Sequence, residues 1–167
     1  DDNGCQDQLN FTLFNPLALL PTVVDFEDIS CFGYSDGSIQ VNPTNGFAPF
    51  SYSLDGLTYQ SADSFLNLTA GAYILYVRDR KNCEESINHN LNQPSQIQLG
   101  LIGTNITCFG FDDGQIEAIG SGSVPPYRFS LNGDSLRSNN IYTDLAPSNN
   151  YLVQVVDTNG CETDATI

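Results

Sequence analysis

Cys31-Phe32-Gly33 recurs as Cys108-Phe109-Gly110, and Asp36-Gly37 recurs as Asp113-Gly114, both 77 residues further on. Pro49-Phe50-Ser51-Tyr52-Ser53-Leu54 matches Pro126-Tyr127-Arg128-Phe129-Ser130-Leu131 at the same offset, and Asp55-Gly56 is followed in register by Asn132-Gly133. One inserted residue then moves the offset to 78, where Tyr73 matches Tyr151, Asp79 matches Asp157 and Cys83 matches Cys161. A chain that repeats itself at this period folds as a series of small units, each with its own core. Extended backwards, the offset places Asp1 under Asp79, Cys5 under Cys83 and Pro16 under Pro94. Residues 1–15 therefore read as the C-terminal tail of a preceding repeat, 16–93 as a complete repeat, and 94–167 as a repeat whose last strand is incomplete. The linkers between units are two or three residues long, which predicts stiff tandem packing.

Within each unit the apolar period is that of strands. Tyr73, Leu75 and Val77 alternate with Ile74, Tyr76 and Arg78, and Tyr151, Val153 and Val155 with Leu152, Gln154 and Val156. The first set of each pair should face a core. Asp55-Gly56 and Asn132-Gly133 tolerate positive φ and predict tight turns. Leu9, Phe11 and Leu13 align with Ile87, His89 and Leu91 and then with Ala165 and Ile167, so a closing strand is read three times. His89, the only histidine, takes a structural position on that strand. About seven short strands per unit, parted by Gly, Pro, Asn and Asp, predict an all-β fold: tandem immunoglobulin-like antiparallel β-sandwich repeats of about 78 residues. Leu68-Thr69-Ala70-Gly71-Ala72-Tyr73 has the form of a tyrosine corner, in which a phenol bonds back to upstream backbone.

A unit this small buries too little surface to be comfortably stable by itself. The five cysteines, with no CxxC pair and one His, fit disulfides in an oxidising compartment rather than a zinc site. Cys31 to Cys83 and Cys108 to Cys161 span 52 and 53 residues. That regularity predicts one disulfide within each repeat, Cys31 with Cys83 and Cys108 with Cys161, and leaves Cys5 to pair outside the chain given. The absence of Met and the turn-like start Asp1-Asp2-Asn3-Gly4-Cys5 read as a segment of a longer product, not as a signal peptide.

The 20 acidic residues against 5 basic ones give a net charge of -15, which excludes nucleic acid as a partner and disfavours anionic membranes. No apolar run approaches the roughly 20 residues of a bilayer span.

The ordered elements Cys-Phe-Gly, Asp-Gly, Pro-Phe/Tyr-x-Tyr/Phe-Ser-Leu and Val-x-Asp-x-x-Gly/Asn-Cys resemble the SprB repeat, the module of the large gliding-motility adhesins of Bacteroidota. The resemblance runs over essentially the whole chain. It departs only in turns, at Asn45-Gly46-Phe47, Gly120-Ser121-Gly122 and Lys81-Asn82. It implies a non-enzymatic structural or adhesive repeat of a long filamentous protein, exported by the type IX system and displayed on the surface of a Gram-negative cell, attached at the outer membrane. Its implied partners are neighbouring repeats of the same chain, surface polysaccharide or substratum, and the secretion and motility machinery of the outer membrane.

No catalytic motif is present: there is no nucleophile elbow, zinc-protease helix, phosphate loop or dinucleotide fingerprint. No cofactor is expected. The one candidate ion is calcium, for which Asp25, Glu27 and Asp28 near the repeat junction and Asp112 and Asp113 in an acidic turn supply hard oxygen ligands, without EF-hand spacing. Asp134-Ser135-Leu136 has the form of a short bacterial O-glycosylation signal, making Ser135 a candidate modification site, and Asn10, Asn67 and Asn105 head Asn-x-Thr sequons. The rival reading is a carbohydrate-binding or spacer module of a secreted polysaccharide-degrading enzyme, with Tyr34, Phe47, Tyr59 and Phe111 as exposed aromatics in a chain without Trp.

Overall fold

Strand-forming alternation and turn residues produce twelve β-strands and no helix in the computed structural model, which describes residues 9–13, 15–148 and 150–167. In the first repeat β1 (Leu20–Glu27), β2 (Gly37–Thr44) and β4 (Ser64–Leu68) form one antiparallel sheet in the order β1-β2-β4. β3 (Ser51–Ser53), β5 (Gly71–Arg78) and β6 (Glu84–Leu91) form a second, in the order β3-β5-β6. The second repeat reproduces both: β7 (Gln98–Thr104), β8 (Gly114–Ser121) and β10 (Ile141–Leu145) make one sheet, and β9 (Arg128–Leu131), β11 (Leu152–Val156) and β12 (Glu162–Thr166) the other.

The two sheets of each unit close on an apolar layer. Ile39 and Val41 of β2 and Phe65 of β4 meet Tyr52 of β3, Leu75 and Val77 of β5 and Leu91 of β6. Ile116 and Ala118 of β8 and Tyr142 of β10 meet Phe129 and Leu131 of β9 and Val153 and Val155 of β11. The expected inward set on β5 and β11 is thus observed, with Tyr73 and Tyr151 half-buried at the edge. Each antiparallel sandwich holds six strands rather than seven. Between β3 and β4 only Gln60 bridges back, to Tyr52, because Asp55 folds the segment onto itself by accepting the N–H groups of Leu57 and Thr58 at 2.8 and 2.7 Å.

The predicted tight turn forms at Asn132-Gly133, both at positive φ, where Asp134 N–H donates to the Leu131 carbonyl at 3.0 Å. At Asp55-Gly56 only the glycine has positive φ, and the loop is wider. The peptides before the aligned Pro49 and Pro126 are both cis. The tyrosine corners are present: Tyr73 donates its hydroxyl to the Thr69 carbonyl at 2.8 Å and Tyr151 to the Ala146 carbonyl at 2.7 Å.

The closing strand expected across Leu9, Phe11 and Leu13 is not formed: residues 9–13 are exposed and carry no strand. A lone strand has no ladder to satisfy its backbone, and no sheet of the described residues reaches it. The rest of the predicted tail, residues 1–8 and 14, lies outside the described residues, Cys5 with it. Leu91, by contrast, is buried against Ile29 and Gly37. In the second repeat a cleft of about 250 Å³ lies between Ile106, Gly114, Leu145 and Ile167.

Candidate functional site at the junction between repeats

The two units meet through the loop between β1 and β2. Asp36 shapes that loop, accepting the N–H of Ser30 at 3.2 Å and also its hydroxyl. The hydroxyl bond is the main reason the Asp36 carboxyl sits below its ordinary pKa, against the opposing effect of burial. Gly33, at a φ of 80°, lets the backbone close so that Tyr34 N–H reaches the Cys31 carbonyl at 3.1 Å. The linker is pinned to the same loop. Ile29 N–H donates to the Asn92 carbonyl at 2.9 Å, Asn92 N–H to Asp28 at 2.7 Å, and Gly33 N–H to the Gln93 side chain at 2.8 Å.

Opposite stands the turn between β11 and β12. Asp157 organises it, accepting the N–H of Cys161 at 2.8 Å and of Val124 at 3.1 Å and the hydroxyl of Ser123 at 2.5 Å. Burial is the largest single influence on this carboxyl and works against its charge, yet the donors together hold its pKa below the usual range. Asp79 does the same for the turn of the first repeat, with N–H donors from Phe47, Lys81 and Cys83. These aspartates were legible only as repeat landmarks. Their burial, 3% and 1% exposed, shows that they build the cysteine turns.

The disulfide joins Cys31 to Cys161, with Cα atoms 5.6 Å apart, and so crosses from one repeat to the next. Asn159 Nδ2 adds a hydrogen bond to the Ser30 carbonyl at 3.0 Å. Cys31 is counted within the core of the second repeat, beside Ile97 and Cys161. Phe32 and Tyr34 line the seam with Gln96, Ile97, Glu162 and Thr163.

The expected pairs Cys31 with Cys83 and Cys108 with Cys161 are therefore wrong, and Cys83 and Cys108 are free and exposed. The reason is geometric. Cys31 lies beside Asn92 at one end of β6, and Cys83 lies just before its other end. Eight residues of strand separate the two ends by about 26 Å at roughly 3.3 Å per residue, far beyond the reach of a disulfide.

The remaining candidates are dispersed. Asp28 is engaged by Asn92, Asp25 by the N–H of Phe26 and Asp113 by Thr107, while Glu27 and Asp112 are exposed. Among the described residues no three His, Cys, Asp or Glu side chains gather into a group able to hold a metal ion. Ser135 is exposed in the loop after the Asn132-Gly133 turn. His89 stacks edge-on to Phe26 with centroids 4.5 Å apart, and its Nε2 is buried without a partner. Of the four aromatics, Tyr34 and Phe111 are exposed at equivalent loops of different repeats. Phe47 lies under the Lys81 ammonium and Tyr59 under the Arg78 guanidinium. Tyr59 also donates to Glu84 at 2.5 Å, and burial together with that carboxylate pushes its phenol up to about 12. These four aromatics do not assemble into one flat platform.

The SprB repeat family matches residues 23–58 and again 102–136, the β1 to β3 and β7 to β9 portions that contain both first-cysteine loops. Both stretches are SprB repeats. The SprB repeat is a structural repeat of cell-surface, adhesin-type proteins and is not an enzyme family. No curated protein matches the chain. Among the described residues no helix is long and apolar enough to cross a membrane.

Proposed function

We propose that these SprB repeats are a non-enzymatic, tension-bearing segment of a long cell-surface filament, of the kind that gliding-motility adhesins exported by the type IX system present outside the outer membrane. The sheet orders β1-β2-β4 and β3-β5-β6 support reading each unit as immunoglobulin-like. The observation that carries the proposal is the Cys31–Cys161 bond. It encloses a sequence separation of 130 residues, and with it most of both repeats, in one covalent loop. Force applied along the chain passes through the sulfur bridge instead of through the folded units. Repeated weak contacts along such a filament would then add by multivalency, with surface polysaccharide or substratum as ligand and no cofactor.

Force spectroscopy on the chain held at its ends tests this. Oxidised protein should lengthen only by the segments outside the loop. Reduction should release about 450 Å more, at roughly 3.3–3.6 Å for each of the 130 enclosed residues. Release of that length from oxidised protein would overturn the tension-bearing reading.

A further inference from the structure

We propose that Cys83 and Cys108 are the two halves of further disulfides of the same kind: Cys108 bonds the second cysteine of the SprB repeat that follows it, and Cys83 bonds the first cysteine of the repeat that precedes it. The proposal rests on the tension-bearing reading and extends it from one junction to a continuous series.

The repeat register assigns the partners. Cys108 is equivalent to Cys31, and Cys83 is equivalent to Cys161, the two residues that are bonded. The free loops also have the geometry of the bonded ones. Thr107 donates its N–H and hydroxyl to Asp113, at 2.9 and 2.5 Å, as Ser30 does to Asp36. Phe111 N–H reaches the Cys108 carbonyl at 3.1 Å, as Tyr34 reaches Cys31, and Gly110 keeps the positive φ of Gly33. At the other end, Cys83 N–H donates to Asp79 and the Cys83 carbonyl accepts from Asp79 N–H, as Cys161 and Asp157 do. Neither cysteine needs its loop rebuilt before it can bond, so little ordering cost remains to be met on docking.

The surfaces around the two thiols are unpartnered copies of the established interface. Phe32 is 50% exposed at the formed junction, and its equivalent Phe109 is 103% exposed. With Phe111 it leaves an apolar tip on the free loop. The receiving face of the first repeat is a cleft of about 150 Å³ lined by Leu19, Gly46, Phe47, Cys83, Glu84 and Glu85. Three of these, Leu19, Cys83 and Glu84, are equivalent to Ile97, Cys161 and Glu162 of the seam already closed. Lys81 stands where Asn159 donates to the Ser30 carbonyl, so the face keeps a donor for the carbonyl of Thr107. Its charge also suits the acidic Asp112 beside that loop. The two faces lie at opposite ends of the chain, because Cys83 sits by Leu19 at the entry to the first repeat and Cys108 sits beyond β7 in the second. The occupant of each is therefore another repeat.

Bond formation balances with a small disulfide such as oxidised glutathione as the two-electron oxidant. The Cys108 thiolate attacks it and forms a mixed disulfide, releasing one glutathione thiolate. The Cys83 thiolate then attacks the Cys108 sulfur and releases the second, and the two protons given up by the protein thiols end on the two glutathiones. The loops closed in this way overlap, and no repeat in the series is left outside a covalent ring.

The test is a fusion of the full chain, with Cys5→Ser, to the segment Asn90–Gln93 and then to a second copy of residues 16–167, refolded in a glutathione redox buffer. Non-reducing peptide mapping should find Cys31–Cys161 within each copy and Cys108 of the first copy bonded to Cys83 of the second. Maleimide should label two thiols per molecule of this fusion, and three in the same fusion carrying Cys108→Ser in the first copy and oxidised in the same way, whereas four labelled thiols in the unaltered fusion would mean that the new bond is not made. Cys31–Cys161 intact in both copies with Cys108 and Cys83 still labelled at the new junction would overturn the series and leave the tension-bearing reading standing. Pairing of Cys31 with Cys83, or of Cys108 with Cys161 in the same repeat, would overturn both.

Discussion

Asn159 donates through Nδ2 to the carbonyl oxygen of Ser30 at 3.0 Å, one residue before the cysteine that carries the disulfide between repeats. The contact ties the turn of one unit to the loop of the other independently of the sulfur bridge. Asn159→Ala should cost about 1 kcal/mol, the usual net worth of one hydrogen bond. Replacing Cys31 and Cys161 together by Ser should cost more, up to about 5 kcal/mol in the chain-entropy model for a loop of this length. Denaturant titration of oxidised protein and of the two variants measures both. An unchanged midpoint in the double serine variant would show that the bond contributes nothing to the folded pair.

The fold was largely legible in the sequence, and the pairing was not, for a reason that particular residues make clear. Alternation at Tyr73, Leu75 and Val77 placed β5 and its inward face directly, because burial on one face is written at period two. The spacing of the cysteines is different in kind. In a repeating chain, Cys31 to Cys83 and Cys31 to Cys161 are both in register, so periodicity cannot choose between a repeat and its neighbour. A usable signal lay in strand direction. Cys31 follows β1 and Cys83 precedes β6, and the return of the chain between β3 and β4 leaves these two loops at opposite ends of the sandwich. The buried Asp79 and Asp157 were equally hard to read, because only the structure shows the backbone donors gathered around each.

Tyr73 and Tyr151 close the turn before β5 and the turn before β11 with the same phenol-to-carbonyl bond. Each ring is half-buried beside its core, so Phe fills the space and removes only the hydroxyl. Tyr73→Phe and Tyr151→Phe should each cost about 1 kcal/mol, with the loss confined to the repeat that carries the change. Equilibrium unfolding followed by hydrogen exchange on each unit separates the two. Equal stability of either variant and the unaltered chain would remove the corner from the stabilising contacts of that repeat.

Asp79 and Asp157 make the stability of the cysteine turns depend on acid. Burial opposes the charge on both, and the donors overcome it: the N–H groups of Cys83, Lys81 and Phe47 for Asp79, and the Ser123 hydroxyl with the N–H groups of Val124 and Cys161 for Asp157. Both folded-state pKa values consequently lie below the ordinary carboxylate value. A carboxyl whose pKa is lowered on folding contributes its full stabilisation above its unfolded value and loses it as the pH falls through the folded one. The protein should therefore hold constant stability from neutral pH down to about 4, near the unfolded carboxylate pKa, and weaken progressively below it. Asp79→Asn and Asp157→Asn should be less stable at neutral pH, because an amide accepts these donors less strongly than a carboxylate, and each should flatten the acid limb of the curve. Thermal unfolding at a series of pH values from neutral to 2 measures this. An acid limb as steep in the double asparagine variant as in the unaltered chain would assign the acid sensitivity to other carboxylates, Asp55 first among them and then Asp36, Asp113 and Glu84, since their pKa values are lowered in the same direction.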